Sequence, residues 1–368
     1  MNSKLPYPIV FLLPTLDVGG AERVVLRTAA HIDRSRFSPT VVALGRGGGK
    51  LARELAAAQI PTVTLYDDRS PSLWHCIRLL GWLRRHRPYV LLTYMFRANV
   101  VGCFFRKLNV VPNLICSERS ALCESKLRLW FYKSTTTWMD GFTVNSEASR
   151  NFWVEHLGIS AKDVSVICNG VDTSIFTPGK TEAELVIGVL ARLHQHNGID
   201  WLLDALKEVE KSIDKPWVCK IAGEGPEATA LQEKIGRLGL ERRVRFIGHV
   251  DNPNEFFSSA AIVVHPARYS GMPNSVLEAM SCGCPVVATA VGGTPELIDH
   301  GITGWLVRPD DPSGTAERLV DLLSRPAACQ KVGVAARKKV ENEFSLNAMV
   351  SRTEGVLMDT IHRVKDRL

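Results

Sequence analysis

Three segments of this chain place phosphate-suited groups where a ligand can reach them. Near the amino end, LDVGGAERVVLRTAAHI puts Gly19 and Gly20 at the start of a helical pattern. Glycines there let the backbone approach a ligand closely, and the first helical amides lack intrahelical acceptors and form the positive end of the dipole. An ordinary tight turn has the same sequence, and both readings stand. In the second half, RYSGMPNSVLEAMSCGCPVVATAVGGTPELI is more specific. Gly271 to Ser275 should open a helix whose N-terminal amides hold a pyrophosphate. Glu278, in the first turns, should reach outward to a ribose diol through two hydrogen bonds, or else merely complement the helix dipole. Arg192 follows the apolar run LVIGVLA, where its fixed fork suits phosphate oxygens. The chain lacks the G-x-G-x-x-G fingerprint of a nicotinamide-binding turn, which argues against an oxidoreductase. It also lacks D-x-D, so a metal-clamped site is not expected, and neither metal nor other cofactor is predicted.

These residues need strand ends to hold them. Short β-branched runs alternate with longer helical patterns throughout: PIVFLL, PTVVALG, PTVTLY, YVLLTY, NLICSE and GFTVNS, then LVIGVLA, WVCKIAG, VRFIGHV, AIVVHPA and PVVATA. Strand–helix repetition predicts parallel sheets covered on both faces. With 368 residues the chain suffices for two α/β domains of doubly wound, Rossmann-like type facing a central cleft. The linker is expected in Thr173–Glu184, after VSVICNGVD, which gives domains 1–172 and 173–345. In such sheets ligands bind beyond the carboxyl ends of the strands, where the three segments lie.

Composition bounds the rest. Hydrophobic residues at 45% and charged residues at 23% exclude a disordered or polytopic membrane protein. No apolar run is long enough to span a bilayer, and MNSKLPYPIVFLLPTL reads as a first strand and not a signal. Nine scattered cysteines without C-x-x-C spacing read as reduced cytosolic thiols. Residues 1–172 hold 22 Lys/Arg against 13 Asp/Glu, and residues 78–133 alone hold 11 against two, Glu118 and Glu124. Those cations are interleaved with Trp82, Phe104, Phe105, Trp130 and Phe131. The pattern fits helices on an anionic membrane surface, with a plain solvated basic face as the alternative. No nucleic-acid-binding signature accompanies the charge, and no nucleic-acid partner is expected. The expected location is the cytoplasm, with peripheral contact at the inner face of the membrane.

Taken together, GGAER, ICNGVDTSIFTP, ARL followed by GIDWLLDAL, IAGEGP, VRFIGHV and GMPNSVLEAMSCGCPVVATAVGGTPELI resemble the family-4 retaining glycosyltransferases of the GT-B fold, nearly end to end. The resemblance implies an acceptor-binding first domain, a donor-binding second domain, and a helix over 346–368 crossing back onto the first. It further implies that Gly19, Gly20 and Arg192 meet the donor phosphates, that Glu278 holds the ribose, and that Gly248 and His249 lie beside the base. The amides of Gly271, Met272, Pro273, Asn274, Ser275 and Val276 would line the diphosphate, proline adding only its carbonyl. Three positions depart from the family pattern. Asn197 replaces a lysine, and Ser270 replaces a glutamate that touches the donor sugar. The strand ending NLICSER carries Glu118 and Arg119 where many members have histidine. The SER ending, with MFRANVVG, is similar to members that build cell-surface glycans such as lipopolysaccharide, and it suggests Arg97, Asn99, Glu118 and Arg119 for the acceptor side.

The implied reaction is metal-independent retaining transfer from a nucleotide diphosphate sugar, UDP favoured over GDP, to a glycan or lipid-linked oligosaccharide. Arg192 and the helix N-termini would carry the charge of the departing diphosphate, with Glu118 an auxiliary candidate for the acceptor proton. Ser270 either donates the hydrogen bond that glutamate would accept or admits a sugar bearing a carboxylate. Two other functions fit the same residues: transfer to a soluble small acceptor, and a catalytically weakened subunit acting as a binding partner, for which Asn197 and Ser270 are the motive. A sugar-nucleotide epimerase shares the fold class.

Overall fold

The computed structural model describes residues 5–17, 19–45, 47–65, 73–119, 125–179 and 185–365. Residues 180–184 of the expected linker and Glu124 of the basic window lie outside the described residues. The chain divides into two compact units, Met1–Gly170 with Leu346–Leu368, and Val171–Ser345.

The first unit is built on seven parallel strands: β1 Tyr7–Leu13, β2 Phe37–Ala43, β3 Thr62–Thr64, β4 Val90–Tyr94, β5 Leu114–Ser117, β6 Gly141–Val144 and β7 Val164–Val166. Their order is β3-β2-β1-β4-β5-β6-β7. Crossover helices are α1 Gly20–His31, α2 Lys50–Ala57, α3 Leu73–His86, α4 Met95–Lys107, α5 Lys126–Thr135 and α6 Glu147–Leu157. Alternation along β1 sorts its side chains onto the two faces of the sheet. Ile9, Phe11 and Leu13 join Val24, Val25 and Ala29 of α1, whereas Val10 and Leu12 join Leu79 and Leu83 of α3, Ala98 of α4 and Tyr132 of α5. The two-sided burial explains why these strands read as continuous apolar runs.

The second unit has six parallel strands: β8 Leu185–Leu190, β9 Trp217–Ala222, β10 Val244–Gly248, β11 Ile262–His265, β12 Val286–Thr289 and β13 Trp305–Val307. They are ordered β10-β9-β8-β11-β12-β13. The last is absent from the runs picked out of the sequence, because it has only three residues and follows Gly304. Its helices are α7 Ile199–Ser212, α8 Ala228–Leu238, α9 Pro253–Ser259, α10 Asn274–Ser281, α11 Thr294–Leu297, α12 Pro312–Ser324 and α13 Pro326–Glu343. The terminal α14, Leu346–Lys365, packs on the first unit, with Leu346, Met349, Val350, Leu357 and Ile361 in the cluster of β1 and α1. Both units are Rossmann-like, as expected. Strand order reverses between β1 and β4 in one unit and between β8 and β11 in the other, and crevices open at such switch points beyond the strands' carboxyl ends.

Candidate functional site

In the second unit the switch point is flanked by Arg192, two residues beyond β8, and by His265, the last residue of β11. Four loops meet around it, and close backbone contacts hold them in place. Gly198 has φ +65, and a Cβ there would collide with the Pro266 carbonyl. Leu193 N–H donates to the Glu224 carbonyl (2.9 Å), Gly223 N–H to Gly248 (2.8 Å) and Gly293 N–H to Gly271 (2.6 Å). The Trp201 indole donates to the Pro266 carbonyl at 3.1 Å.

The main clamp was not anticipated from the sequence. Arg268 forks onto both carboxylate oxygens of Asp200 (2.7 and 2.8 Å), donates to the Gln195 carbonyl (2.8 Å) and pairs with Asp310 (2.6 Å). Its backbone N–H also donates to the His196 carbonyl at 2.8 Å. Hydrogen bonding to Asp200 raises its already high pKa, so the guanidinium is a permanent cation consumed by structure. Residues 200, 268 and 310 are too distant in sequence for spacing to relate them.

Arg192 is the opposite case. It is exposed and has no side-chain partner among the described residues, so its charge is available. Asn197 Nδ2 donates to the Arg192 carbonyl at 2.7 Å, which fixes the backbone from which that guanidinium projects. Beside it His194 stacks on His196 (4.7 Å between centroids), and His196 meets Tyr269 edge-on. Gly248 sits at φ +68, and exposed His249 lies 3.7 Å from Asp251.

The α10 helix begins at Asn274 behind Pro273, which offers no capping side chain. Leu277 N–H returns to the Pro273 carbonyl at 3.3 Å, so the amides before it point out of the helix start. Ser275 Oγ lies 3.5 Å from His265 Nδ1. His265 is buried, its pKa is pushed down to about 4 by that burial, and its Nε2 has no hydrogen-bond partner among the described residues. It is therefore a neutral imidazole at the strand end, a residue that apolar neighbours on either side concealed in the sequence. Glu278 does not reach outward as expected. It is 2% exposed, because α10 is enclosed by α9, α13, β11 and β12 and buries every residue from Val276 to Ser281. Ser270 and Gly271 are half-buried, their carbonyls facing Gly292 and Gly293 of the next loop. Met272 and Pro273 are buried.

In the first unit Gly19 caps α1 in extended conformation, φ −143, and Gly20 is the first helical residue. A Cβ on Gly19 would collide with the Glu22 carboxylate, so an acid occupies the helix start proposed for a phosphate. The four acceptor-side residues divide. Arg97 is exposed on α4. Asn99 is fully buried: its Oδ1 accepts from Thr93 Oγ1 (2.6 Å), and its Nδ2 faces Tyr132 Oη (2.8 Å), the Ser117 carbonyl (3.2 Å) and Glu118 Oε1 (3.3 Å). Tyr132 Oη donates a close hydrogen bond to Glu118, which is 6% exposed. Burial lifts the Glu118 pKa to about 7, with the Tyr132 hydroxyl opposing. Asn99 and Glu118 thus come together, but inside the unit, where neighbouring polar groups and not solvent satisfy them. Arg119 turns the other way, to Asn169 Oδ1 and the Ile167 carbonyl, and burial lowers its pKa. Where β4 turns into α4, Met95 holds φ +68, an uncommon conformation for a side-chain-bearing residue at a switch point.

Two family models divide the chain: "Glycosyltransferase Family 4" over residues 18–175 and "Glycosyl transferases group 1" over residues 184–325. The chain belongs to glycosyltransferase family 4. Among relatives of this family-4 chain, the N-acetyl-alpha-D-glucosaminyl L-malate synthase of Bacillus anthracis is 26% identical over 56% of each chain. The D-inositol 3-phosphate glycosyltransferase of Corynebacterium diphtheriae is 31% identical over 66% of this chain and 60% of its own. The family-4 chain therefore spans less than two thirds of the length of these relatives. Anabaena Alr3699/HepE, solved in complex with UDP, superposes with TM-score 0.83 at 22% identity, over 95% of this chain and 99% of that one. The lipopolysaccharide outer core galactosyltransferase WaaB superposes with TM-score 0.72 at 19% identity, over 96% and 99%. At these identities the superpositions establish the shared GT-B fold of two parallel-sheet domains.

Proposed function

We propose that this chain transfers a sugar, with retention, from a UDP-sugar to a glycan or lipid-linked oligosaccharide acceptor of surface polysaccharide synthesis. The observation that carries the reading is the pairing of the α10 N-terminus, whose N-cap Pro273 supplies no side-chain bond, with Arg192, which has no side-chain partner among the described residues, at one switch point on loops that Arg268 holds rigid. That arrangement is suited to an anionic diphosphate. UDP is favoured because HepE, which shares the fold, was solved with it. In the transfer the bond from the anomeric carbon to the diphosphate oxygen breaks, and the acceptor oxygen bonds to the same face of the sugar. The acceptor proton passes to the departing phosphate, and the reading assigns Glu118 no base role, since its carboxyl is sealed within the first unit. Arg192 and the α10 amides hold the developing charge without a metal. Asn197 serves by fixing the Arg192 backbone where a lysine would add charge, and Ser270 contacts the donor sugar.

A second reading takes a soluble small acceptor, favoured by relatives named for malate and inositol phosphate. Calorimetric titration of UDP and of GDP with chelator present, into wild type and Arg192→Ala, tests the donor side. UDP should bind and the variant should lose ~10-fold in affinity, as expected for one charge-assisted contact. If neither nucleotide binds, the transferase reading gives way to a binding-partner role. A panel of lipid-linked and soluble acceptors separates the two acceptor classes.

A further inference from the structure

The first unit carries a face that neither the donor chemistry nor the buried Glu118 network uses. On α4 and its C-terminal cap, Arg97, Phe104 and Leu108 recur at helical spacing along the outward side, with Phe104 52% and Leu108 65% exposed. On α5, Leu127 is 71% and Trp130 65% exposed. The helices are joined laterally by rings: Phe131 of α5 meets Phe96 (5.6 Å between centroids) and Phe104 (6.5 Å) of α4. Both anchor to the same side of the sheet through Ala98, Cys103 and Phe105 on α4 and Tyr132 on α5. Four large apolar side chains therefore stand out from two adjacent helices whose other sides are fully used.

Charge decides what covers them. Neither α4 nor α5 contains an Asp or Glu. Arg97, Lys107, Lys126, Arg128 and Lys133 are all exposed, and none forms a salt bridge with a carboxylate among the described residues, Arg128 only acting at a distance on the buried Glu118. Arg106, by contrast, is neutralised by Asp140 at 2.7 Å. Lys107 lies over the Trp138 ring and Arg128 over Phe96, so cationic heads are carried on aromatic platforms beside the apolar tips. The core of a protein-docking patch would be depleted in lysine. Apolar tips including a tryptophan, collared by cations alone on long stems that can lie along apolar surface, match the interface of a bilayer with anionic headgroups. We infer that the α4–α5 face docks this chain on an anionic lipid membrane, with Phe104, Leu108, Leu127 and Trp130 entering the headgroup boundary.

The test is co-sedimentation of the full chain with vesicles of phosphatidylcholine alone and of phosphatidylcholine mixed with phosphatidylglycerol. Wild type should sediment with the mixed vesicles, release in high salt, and leave the neutral ones unbound. Lys107→Ala, Lys126→Ala and Lys133→Ala together should weaken partition ~100-fold, the product expected of three interfacial cations. Leu127→Ser with Trp130→Ser should weaken it at least ~10-fold through lost apolar burial. Both variants alter exposed side chains outside the donor site, so their melting curves and UDP titrations should match wild type. No sedimentation with mixed vesicles, equal sedimentation with neutral ones, or a charge variant that binds like wild type each overturns the inference. So does concentration-dependent dimerisation abolished by Trp130→Ser, which would make a second copy the occupant. The vesicle assay does not depend on the donor reading: a chain that fails to bind UDP and still sediments leaves membrane docking in place.

Discussion

Arg192 and Arg268 stand at ends of strands in the same sheet, yet only the second is committed to carboxylates. A guanidinium clamped by Asp200 and Asp310 contributes rigidity and little net positive field, since its charge is matched locally. Arg192 retains its charge for a ligand, and Asn197 limits where its backbone can go. Arg192→Ala should therefore lower kcat by ~10²–10³, the loss typical of removing one preorganised donor to a developing oxyanion. Arg192→Lys should recover part of it, because a point charge replaces the fork without its geometry. Steady-state rates with a UDP-sugar decide this, and unchanged turnover in the alanine variant removes Arg192 from the reaction. The same logic applies to Glu118 and Glu278, the two glutamates singled out in the sequence. Both are buried by their neighbours, which no local pattern around either residue reveals.

At the scale of elements, the site depends on turns that admit only glycine. Gly198 links Asn197 to the start of α7 in the left-handed region and lies against the Pro266 carbonyl, so one methyl group would force apart the loops that Arg268 joins. Gly198→Ala should cost about 1–2 kcal/mol for the backbone conformation alone, with the collision adding to it. Thermal melting should show the loss and UDP titration a weaker site. Wild-type UDP affinity in this variant would mean that the loop junction does not shape the donor site. Elements of this kind were partly legible beforehand. Strands such as VFLL and VVAL declare themselves because both faces are covered, and GMPNS announces a helix start through proline and small polar residues. What escaped has a common cause. Trp305–Val307 is too short to show a period, Glu278 is enclosed by helices α9 and α13 drawn from distant stretches, and the Asp200–Arg268–Asp310 clamp exists only after three segments fold together. Asn99 likewise looks like a helix-start residue in MFRANVVG, and only the placement of Tyr132 and Glu118 makes it the centre of a buried network.

For the whole molecule, the two units carry buried titratable groups of opposite consequence. In the first, Glu118 has its pKa raised from 4.5 to about 7, so the folded state holds a proton that the unfolded state has released. Its stabilising contribution is complete below pH 4.5 and is lost as pH rises through about 7. In the second, His265 is lowered from 6.5 to about 4, so the unfolded state takes up a proton first. That contribution is complete above pH 6.5 and is lost as pH falls through about 4. Each shift corresponds to a stability change on the order of 3 kcal/mol. A fall in pH from 6.5 to about 4 should therefore weaken the second unit, and a rise from 4.5 to about 7 the first, a divergence that a single global midpoint would average away. Hydrogen exchange resolved by peptide should show slow amides of β11 and β12 losing protection as pH falls toward about 4, and those of β4 and β5 as pH rises toward about 7. Glu118→Gln should remove only the first unit's loss between pH 4.5 and about 7, and His265→Asn only the second unit's loss between pH 6.5 and about 4. If both units lose protection in parallel at each extreme, and neither substitution alters the pH profile, the two buried groups do not govern stability and the pH response belongs to surface charge.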